Sequence, residues 1–217
     1  MKNIAVIARK GGSGKTTVAV NLALAAHRRG HAVELADTDP QGSSAEVLRV
    51  RKADGPTVVQ TTGEAIHAGR HEAQRGMTLR VLDTPAAAED AIGHAIALAQ
   101  VSILVVRPTF LDLAATLQTA QILRRLRRPG LILLNQAPVT RGGVEPPAVK
   151  RALEALRLMQ LPVLPVILRS RAAYQTSLAL GCSVEELGPG PAADEIAELW
   201  DYLERFALGA RRSDAAA

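Results

Sequence analysis

Cysteine, aromatic residues and long apolar runs are all scarce in this sequence of 217 residues. The single cysteine, Cys182, cannot form a disulfide framework or a cysteine-ligated metal site within one chain. Aromatic residues make up 2% of the chain and apolar residues 47%, so the core must consist mainly of aliphatic side chains. No apolar stretch approaches the roughly 20 residues of a membrane span, and no secretory signal is apparent. We expect a cytoplasmic protein with no membrane partner.

Basic residues outnumber acidic ones and give a net charge of +5. They are concentrated in three groups: Arg49, Arg51 and Lys52; Arg124, Arg125, Arg127 and Arg128; and Arg169 with Arg171. Arginines at the end of a helix also complement the helix dipole, so the group at 124–128 by itself fits either explanation. The three groups together favour a polyanionic partner such as nucleic acid.

Strand-like apolar runs alternate with helix-patterned segments along most of the chain. The runs lie at 3–8, 32–36, 57–61, 78–82, 101–106, 131–134 and 163–168. The helix-patterned segments include 15–29, 88–99, 111–128, 147–159 and 192–207. This alternation predicts an α/β fold with a doubly wound, mostly parallel sheet and helices on both faces. The stretch 62–77 fits either a short helix or a loop, and 138–147 is predicted to be a surface loop.

Residues 10–17 read Lys-Gly-Gly-Ser-Gly-Lys-Thr-Thr and stand between an apolar run and a helix-patterned segment. Glycines allow such a loop to point successive N–H groups at one spot, where the following helix adds its positive dipole end. We therefore predict a phosphate-binding loop that opens a P-loop domain over residues 1–208, with 209–217 a disordered tail. The expected nucleotide-binding residues are Lys10, Gly11, Gly12, Ser13, Gly14, Lys15, Thr16 and Thr17. Lys15 supplies charge to the β- and γ-phosphates, and Thr16 supplies a hydroxyl for Mg²⁺.

The loop departs from the general G-x-x-x-x-G-K-[ST] pattern, because Arg9 replaces the first glycine and a second lysine, Lys10, follows it. Residues 10–16 match K-G-G-x-G-K-[ST] at every position. The chain thus resembles the deviant Walker A family, the ParA/MinD superfamily of dimerising ATPases. The resemblance implies a Mg²⁺-dependent ATP hydrolase. It also implies that Lys10 reaches across a dimer interface to the partner's phosphates, so that Lys10 and Lys15 both act in catalysis.

Two further motifs place carboxylates after strand-like runs. The segment 37–41, Asp-Thr-Asp-Pro-Gln, resembles the family's D-x-D-P-Q motif. The resemblance implies that Asp39 orients the attacking water and that Asp37 supports the metal indirectly. Asp83 directly follows the fourth run, at the position where a Walker B aspartate binds the Mg²⁺ shell. Ala86 stands where the family usually has a second proline.

The resemblance extends from residue 2 to about 205. It implies that Asn135, at the end of a late strand, lies near the adenine base. The family places DNA-contacting basic residues in the late region, so Arg169 and Arg171 are favoured as DNA contacts over Arg124, Arg125, Arg127 and Arg128.

Several relatives are excluded by what the sequence lacks. One cysteine per chain cannot supply the cluster ligands of a nitrogenase-type iron protein. The last helix-patterned segment, 192–207, is acidic, whereas a MinD-type membrane helix is usually basic on its polar face. A tyrosine autokinase would end in a tyrosine cluster. The remaining match is a short ParA-type ATPase without an N-terminal helix-turn-helix.

The resemblance implies a homodimer that forms on ATP binding, holds DNA without sequence preference and is associated with the nucleoid. A ParB-like or centromere-binding partner would stimulate hydrolysis, and the cargo would be a plasmid, a chromosome or another cellular body. A scaffold role in chemotaxis or carboxysome positioning fits the same sequence. The alternative from another class is a metabolic amidoligase of the cobyrinic acid or dethiobiotin synthetase kind, although no substrate or glutaminase domain is recognisable.

Overall fold

The structure of the protein, a computed structural model, describes residues 1–86 and 89–209, and of residues 206 and 207 only the backbone. Its strands are β1 (Lys2–Ile7), β2 (Val33–Asp37), β3 (Thr57–Gln60), β4 (Leu79–Asp83), β5 (Val101–Val106), β6 (Gly130–Ala137) and β7 (Val163–Arg169). They form one sheet in the order β3-β2-β4-β1-β5-β6-β7, and every pair of neighbours is parallel. The predicted parallel α/β sheet is confirmed.

The helices connect successive strands as right-handed crossover units require. They are α1 (Lys15–Arg28), α2 (Ser43–Arg49), α3 (Gly63–His67), α4 (Glu89–Leu98), α5 (Phe110–Arg125), α6 (Pro147–Arg157), α7 (Ala172–Ala179) and α8 (Pro191–Tyr202). A 3₁₀ turn, Val184–Glu186, precedes α8, and a π-helical turn, Leu203–Ala207, follows it.

The core lies in two layers, because alternate strand residues point to opposite faces of the sheet. In β1, Ile4 and Val6 contribute to the layer under α1, α2, α7 and α8, whereas Ala5 and Ile7 contribute to the layer under α3 to α6. Trp200 of α8 is fully buried in the first layer, where Tyr174 is the other buried aromatic side chain of a mainly aliphatic cluster. Helices on both faces therefore bury β2, β4 and β5 along their whole length and β1 from Ile4 onward, as the aliphatic composition predicts.

The seven predicted strands and five predicted helices are all present, with ends shifted by a few residues. The ambiguous stretch 62–77 contains the single-turn helix α3 and otherwise turns and irregular chain. The predicted loop 138–147 contains an isolated β-bridge between Arg141 and Val144 and otherwise lacks regular structure up to Pro147, where α6 begins. The predicted tail falls almost entirely on residues 210–217, which lie outside the described residues.

The parallel sheet brings distant segments to one edge. The carboxyl ends of β1, β2, β4, β5, β6 and β7 meet there, because all strands point the same way. Helix α5 starts at this edge and runs back, so Arg124, Arg125, Arg127 and Arg128 lie at the opposite edge, before β6 begins. Within the described ranges, none of the helices combines the length and apolar character needed to cross a bilayer.

Candidate nucleotide-binding site

The predicted phosphate-binding loop connects β1 to α1 at the carboxyl edge of the sheet. Gly14 caps α1 with a φ of 89°, and it provides no side chain to occupy the free N–H groups of the first helical turn. A Cβ at Gly14 would overlap Nδ2 of Asn135, so only glycine fits at this position. The free N–H groups and the positive end of the helix dipole together form a site for an anion.

The side-chain amides of two consecutive β6 residues form hydrogen bonds with backbone carbonyls of this loop. Asn135 Nδ2 donates to the Ser13 carbonyl at 2.7 Å, and Gln136 Nε2 donates to the Gly12 carbonyl at 2.9 Å. Both side chains reach the same loop because β6 is irregular here, with Gln136 at a φ of 51° and a shifted register against β7. The Gly12 and Ser13 carbonyls thus accept from β6 side chains on one side of the loop, and the N–H groups of the loop stay available to a ligand. This bracing role for Asn135 and Gln136 was not predicted from the sequence.

Lys15 lies in the loop with its side chain largely buried. Burial lowers the pKa of its ammonium, and the charges of Asp83 and Asp39 oppose this shift. The predicted lysine and two of the predicted carboxylates, separated by up to 68 residues in sequence, therefore share one electrostatic environment. Because burial disfavours its charged form, the Lys15 ammonium would be stabilised by the additional negative charge of bound phosphates.

Asp83 ends β4 beneath the loop and is almost completely buried. Burial raises its pKa to about 7, the charge of Asp37 adds to the rise, and the Thr16 hydroxyl and Lys15 oppose it. Neither carboxylate oxygen has a hydrogen bond of good geometry. Buried oxygens without donors are suited to a cation, so these residues fit the predicted Mg²⁺, with Asp83 and the Thr16 hydroxyl as its protein contacts.

The protein alone does not supply a complete metal site. Among the described residues, no group of three or more His, Cys, Asp or Glu side chains could hold an ion. Mg²⁺ in nucleotide-binding proteins characteristically uses one or two carboxylates and completes its shell with water and substrate phosphates. The small number of carboxylates here is what we expect of a site for Mg²⁺ that binds together with a nucleotide.

Asp37 and Asp39 occupy different environments. Asp37 is buried at the end of β2, where its two oxygens accept from the backbone N–H groups of Asp39, at 3.1 Å, and Ala45, at 2.9 Å. It thereby fixes the turn into α2. Asp39 lies beyond the strand end and is half-buried, and one of its oxygens accepts from the Gln41 N–H at 3.0 Å. Asp39 is therefore the carboxylate available to solvent beside Lys15.

Hydroxyl groups tie the three strand ends together. Thr38 donates both its N–H, at 2.9 Å, and its hydroxyl, at 2.8 Å, to the Asp83 carbonyl. Thr84 donates its hydroxyl to the Val6 carbonyl at 2.8 Å. The segments that carry Asp39, Asp83 and the phosphate-binding loop are thus joined directly by hydrogen bonds.

A polar cavity of about 320 Å³ opens beside the loop. It lies between the start of α1, the end of β6 and the turn from β7 into α7, and it is lined by Thr17, Asn135, Gln136, Arg169, Ser170, Arg171, Ala172, Tyr174 and Gln175. Its amides and hydroxyls offer both donors and acceptors to a heterocyclic base. This volume is compatible with the predicted placement of Asn135 near adenine.

Carboxylates engage both late arginines. Arg169 forms two contacts with Glu145, at 2.6 and 2.8 Å, and also donates to the Pro138 carbonyl at 2.9 Å. Arg171 donates to Glu195 at 2.8 Å. Buried Glu195 additionally accepts from the Tyr174 hydroxyl at 2.8 Å and from the Arg169 N–H at 3.0 Å, so it shapes the cavity wall. Nothing in the local sequence marks Glu145 or Glu195 as partners.

The earlier arginine group differs sharply from the late pair. Arg124, Arg125, Arg127 and Arg128 are all exposed, and their side chains have no ion pair within the described ranges. The late pair is the predicted DNA contact, yet its charge is already matched by carboxylates. The charge of the 124–128 group is unpaired among the described residues, and it lies at the opposite edge of the sheet.

We expect Asp83→Asn to stabilise the protein without ligands, increasingly so as pH rises. The raised pKa means that the folded state holds a proton that the unfolded state releases above about pH 4. Folding stability from this group is therefore lost between about pH 4 and 7. At 1.36 kcal/mol per pKa unit, the loss from 3.8 to about 7 is about 4 kcal/mol, and asparagine avoids it.

Urea unfolding of both proteins between pH 5 and 8.5, without nucleotide or Mg²⁺, measures this effect. The difference in unfolding free energy should grow from pH 5 to about pH 7 and then level off, whereas the exposed carboxylate variant Glu154→Gln should follow the unsubstituted protein. Parallel pH profiles for Asp83→Asn and the unsubstituted protein would show that the carboxyl is not held protonated.

Comparisons with known proteins agree with this geometry. The family model described as the CobQ/CobB/MinD/ParA nucleotide binding domain matches residues 4–184. The chain is 31% identical over 204 residues to maintenance of carboxysome distribution protein A of Halothiobacillus neapolitanus, covering 90% of this chain and 93% of that protein.

Two solved structures share the fold at low sequence identity. The ATP complex of a singly substituted McdA from Cyanothece superposes with a TM-score of 0.78 at 17% identity, over 98% of each chain. The Mg-ADP complex of the septum site-determining protein MinD from Pyrococcus horikoshii gives 0.76 at 19% identity, over 95% of this chain and 97% of the other. These similarities concern the backbone arrangement of the whole described sheet and its helices.

Proposed function

The chain belongs to the CobQ/CobB/MinD/ParA nucleotide-binding family as a ParA/MinD-type ATPase, and from this premise we propose that it is an ATP-driven positioning protein. It binds ATP with Mg²⁺ at the loop of residues 10–17, forms a homodimer around the nucleotide and attaches to DNA without sequence preference. A partner protein stimulates hydrolysis, which separates the dimer and releases it from DNA.

The observation that carries this proposal is the arrangement of charges around the loop. Lys15 shares its environment with Asp39 and Asp83, while the N–H groups of the loop remain available for an anion. Both carboxylate oxygens of Asp83 are buried beneath the loop without a hydrogen bond of good geometry. Phosphoryl transfer needs positioned cations for the phosphates, a carboxylate for the metal and a residue that orients water, and these groups supply each of them.

In the proposed cycle, the loop N–H groups and Lys15 bind the β- and γ-phosphates. Asp83 and Thr16 would hold Mg²⁺, which when bound neutralises charge on the phosphate oxygens. Asp39 accepts a hydrogen bond from the attacking water and aligns it with the γ-phosphorus, while Asp37 fixes the turn that carries Asp39. The water oxygen forms a bond to the γ-phosphorus while the bond from that phosphorus to the β,γ-bridging oxygen breaks, and the proton that the water loses passes to phosphate or solvent, which leaves ADP and inorganic phosphate.

The cargo we favour is a large protein assembly. The relative from Halothiobacillus neapolitanus, which aligns with 90% of this chain, is named for carboxysome distribution. A plasmid or chromosome carried through a ParB-like or centromere-binding partner is the second candidate for the same machinery. The amidoligase alternative has less support, because two relatives that each cover more than 80% of the chain are named for carboxysome distribution and not as synthetases.

The unpaired arginines support a DNA surface at the edge opposite the nucleotide. Arg124, Arg125, Arg127 and Arg128 are exposed at the end of α5 and free to contact phosphates. The late pair, Arg169 and Arg171, would first have to give up ion pairs with Glu145 and Glu195. We therefore propose the 124–128 group as the main DNA contact, with the late pair serving the nucleotide cavity.

We expect alanine at Arg124, Arg125, Arg127 and Arg128 together to remove most ATP-dependent binding to arbitrary duplex DNA. A dimer with four phosphate contacts per subunit should lose roughly 10³- to 10⁵-fold in affinity between 50 and 200 mM salt. The variant should bind weakly and with a much shallower salt dependence. Gel shifts on unrelated duplexes across a salt series, with ATP or ADP, measure both quantities.

The paired variant Arg169→Ala with Arg171→Ala is the matched comparison, and it should retain the salt slope of the unsubstituted protein. If DNA affinity depends steeply on salt in the fourfold variant and only weakly in the paired variant, Arg169 and Arg171 are the DNA contacts and the 124–128 group is not. DNA binding by Lys15→Ala with ATP equal to that of the unsubstituted protein would count against the proposed function as a whole.

A further inference from the structure

Arg107, which no motif identifies, lies next to the phosphate-binding loop. It follows β5 directly and therefore reaches the carboxyl edge of the sheet. Its Nη1 atom is 3.7 Å from the position that a Cβ would occupy on Gly12, and no other heavy atom outside the neighbouring residues is within 4 Å of that position. The guanidinium thus occupies the open side of the loop, where Gly12 has a φ of 73°.

A buried carboxylate fixes the orientation of this guanidinium. Arg107 donates from Nε to Asp112 Oδ1 at 3.1 Å and from Nη2 to Asp112 Oδ2 at 3.2 Å. Asp112 is 4% exposed in the first turn of α5, where the Thr109 hydroxyl also donates to it. The two-point contact holds the planar fork in one orientation, as bidentate arginine–carboxylate pairs characteristically do.

This arrangement leaves one face of the guanidinium unused. Nη1 of Arg107 has no hydrogen bond to any described residue, and the side chain is 31% exposed. The neighbouring Arg9 is different, because its nitrogens are engaged by Glu89 at 3.1 Å and Gln118 at 2.8 Å. Of Arg9 and Arg107, only Arg107 therefore has a terminal nitrogen without a hydrogen-bond partner among the described residues.

We propose that Arg107 is a further phosphate-binding residue that contacts the terminal phosphates of ATP, and that Asp112 is its positioning residue. This inference rests on the proposed nucleotide-binding function. A guanidinium presents two N–H groups from Nη1 toward an anion without rotating away, since Asp112 already fixes the other side. The ATP is held either by the same subunit's loop or by the partner's loop across a dimer, and the chemistry of recognition is the same.

We expect Arg107→Gln to weaken the ATP interaction by about tenfold to a hundredfold, because it removes a charge-assisted contact. ADP binding should change less, since ADP lacks the γ-phosphate. Asp112→Asn should give a smaller loss of the same kind, because the arginine remains but its fork is no longer fixed. Arg107→Lys should recover only part of the affinity, since a lysine keeps the charge without the two-point contact.

The experiment measures binding of ATPγS and ADP by calorimetry, and assembly by light scattering, for these variants and for Arg157→Gln as an exposed arginine control at the end of α6. Thermal unfolding verifies that each variant is folded. Weaker ATPγS binding at concentrations where the protein is monomeric assigns the contact to the same subunit's nucleotide. Unchanged monomer affinity with impaired assembly assigns it to the partner's nucleotide.

The proposal is overturned if Arg107→Gln binds ATPγS and assembles as the unsubstituted protein does, while Lys15→Ala loses binding. That result would leave the proposed function intact. If the unsubstituted protein binds no ATPγS, the proposed function fails and this inference fails with it. Equal losses for ATPγS and ADP would also contradict it, because they would indicate a general disturbance of the loop rather than contact with the terminal phosphates.

Discussion

Lys10→Ala is expected to abolish ATP-dependent dimerisation while leaving ATP binding by the monomer within a few-fold of the unsubstituted protein. The Lys10 side chain is exposed and makes no ion pair or hydrogen bond within the described residues, so it has no evident task in its own subunit. In a twofold dimer, one substitution removes two symmetric contacts. At about 1.5 to 3 kcal/mol for each charged hydrogen bond, dimer affinity should fall roughly a hundredfold or more.

Light scattering with ATPγS and Mg²⁺ over a range of protein concentrations measures the dimer equilibrium. Lys52→Ala removes an exposed lysine elsewhere and should dimerise normally, whereas Lys15→Ala should fail earlier, at nucleotide binding. A Lys10→Ala protein that dimerises as the unsubstituted protein does would refute the contact across the interface. Loss of ATP binding by the Lys10→Ala monomer would instead place this lysine in its own subunit's site.

Asp39→Ala is expected to reduce ATP hydrolysis by roughly 10²- to 10⁴-fold and to hold the protein in its ATP-bound dimeric form. The half-buried Asp39 carboxylate faces solvent beside Lys15, while Asp37 and Asp83 occupy the buried positions. Its removal takes away water alignment but leaves the loop, Lys15 and the metal carboxylate in place. Turnover should therefore suffer far more than binding.

Single-turnover hydrolysis, together with size-exclusion chromatography in ATP, tests this expectation. The exposed carboxylate variant Glu154→Ala should hydrolyse ATP normally, and Asp37→Ala should lose stability because the turn into α2 loses two hydrogen bonds. Hydrolysis at the unsubstituted rate by Asp39→Ala would transfer the catalytic role to Asp37. The persistence of Asp39→Ala dimers on DNA would connect this defect to the proposed release step.

The phosphate-binding loop and the parallel sheet follow from the sequence with little help from tertiary information. The loop of residues 10–17 is contiguous, so its glycines and its flanking strand and helix specify the backbone that leaves its N–H groups available to a ligand. Aliphatic runs separated by helical segments similarly restrict the chain to right-handed crossovers and a parallel sheet. The positions of Asp37 and Asp83 at strand ends follow from that sheet alone.

The tertiary structure determines which charged side chains form ion pairs and at which edge of the sheet they lie. Arg169 and Arg171 are basic residues in a promising segment, but Glu145 and Glu195, each 24 residues away from its partner, neutralise them. The 124–128 group sits at the far edge because α5 runs back from the site.

Arg107 and the side-chain amides of Asn135 and Gln136 also depend on the tertiary structure. Here the fold brings distant side chains to the phosphate-binding loop. Asn135 and Gln136 brace a loop more than 120 residues earlier because a local irregularity in β6 turns both side chains toward it. Arg107 reaches Gly12 because β5 pairs directly with β1. Strand and loop formation depend on near neighbours and so can be read along the chain. Ion pairing and ligand access depend on which distant residues the strand order places side by side, and that order exists only in the folded sheet.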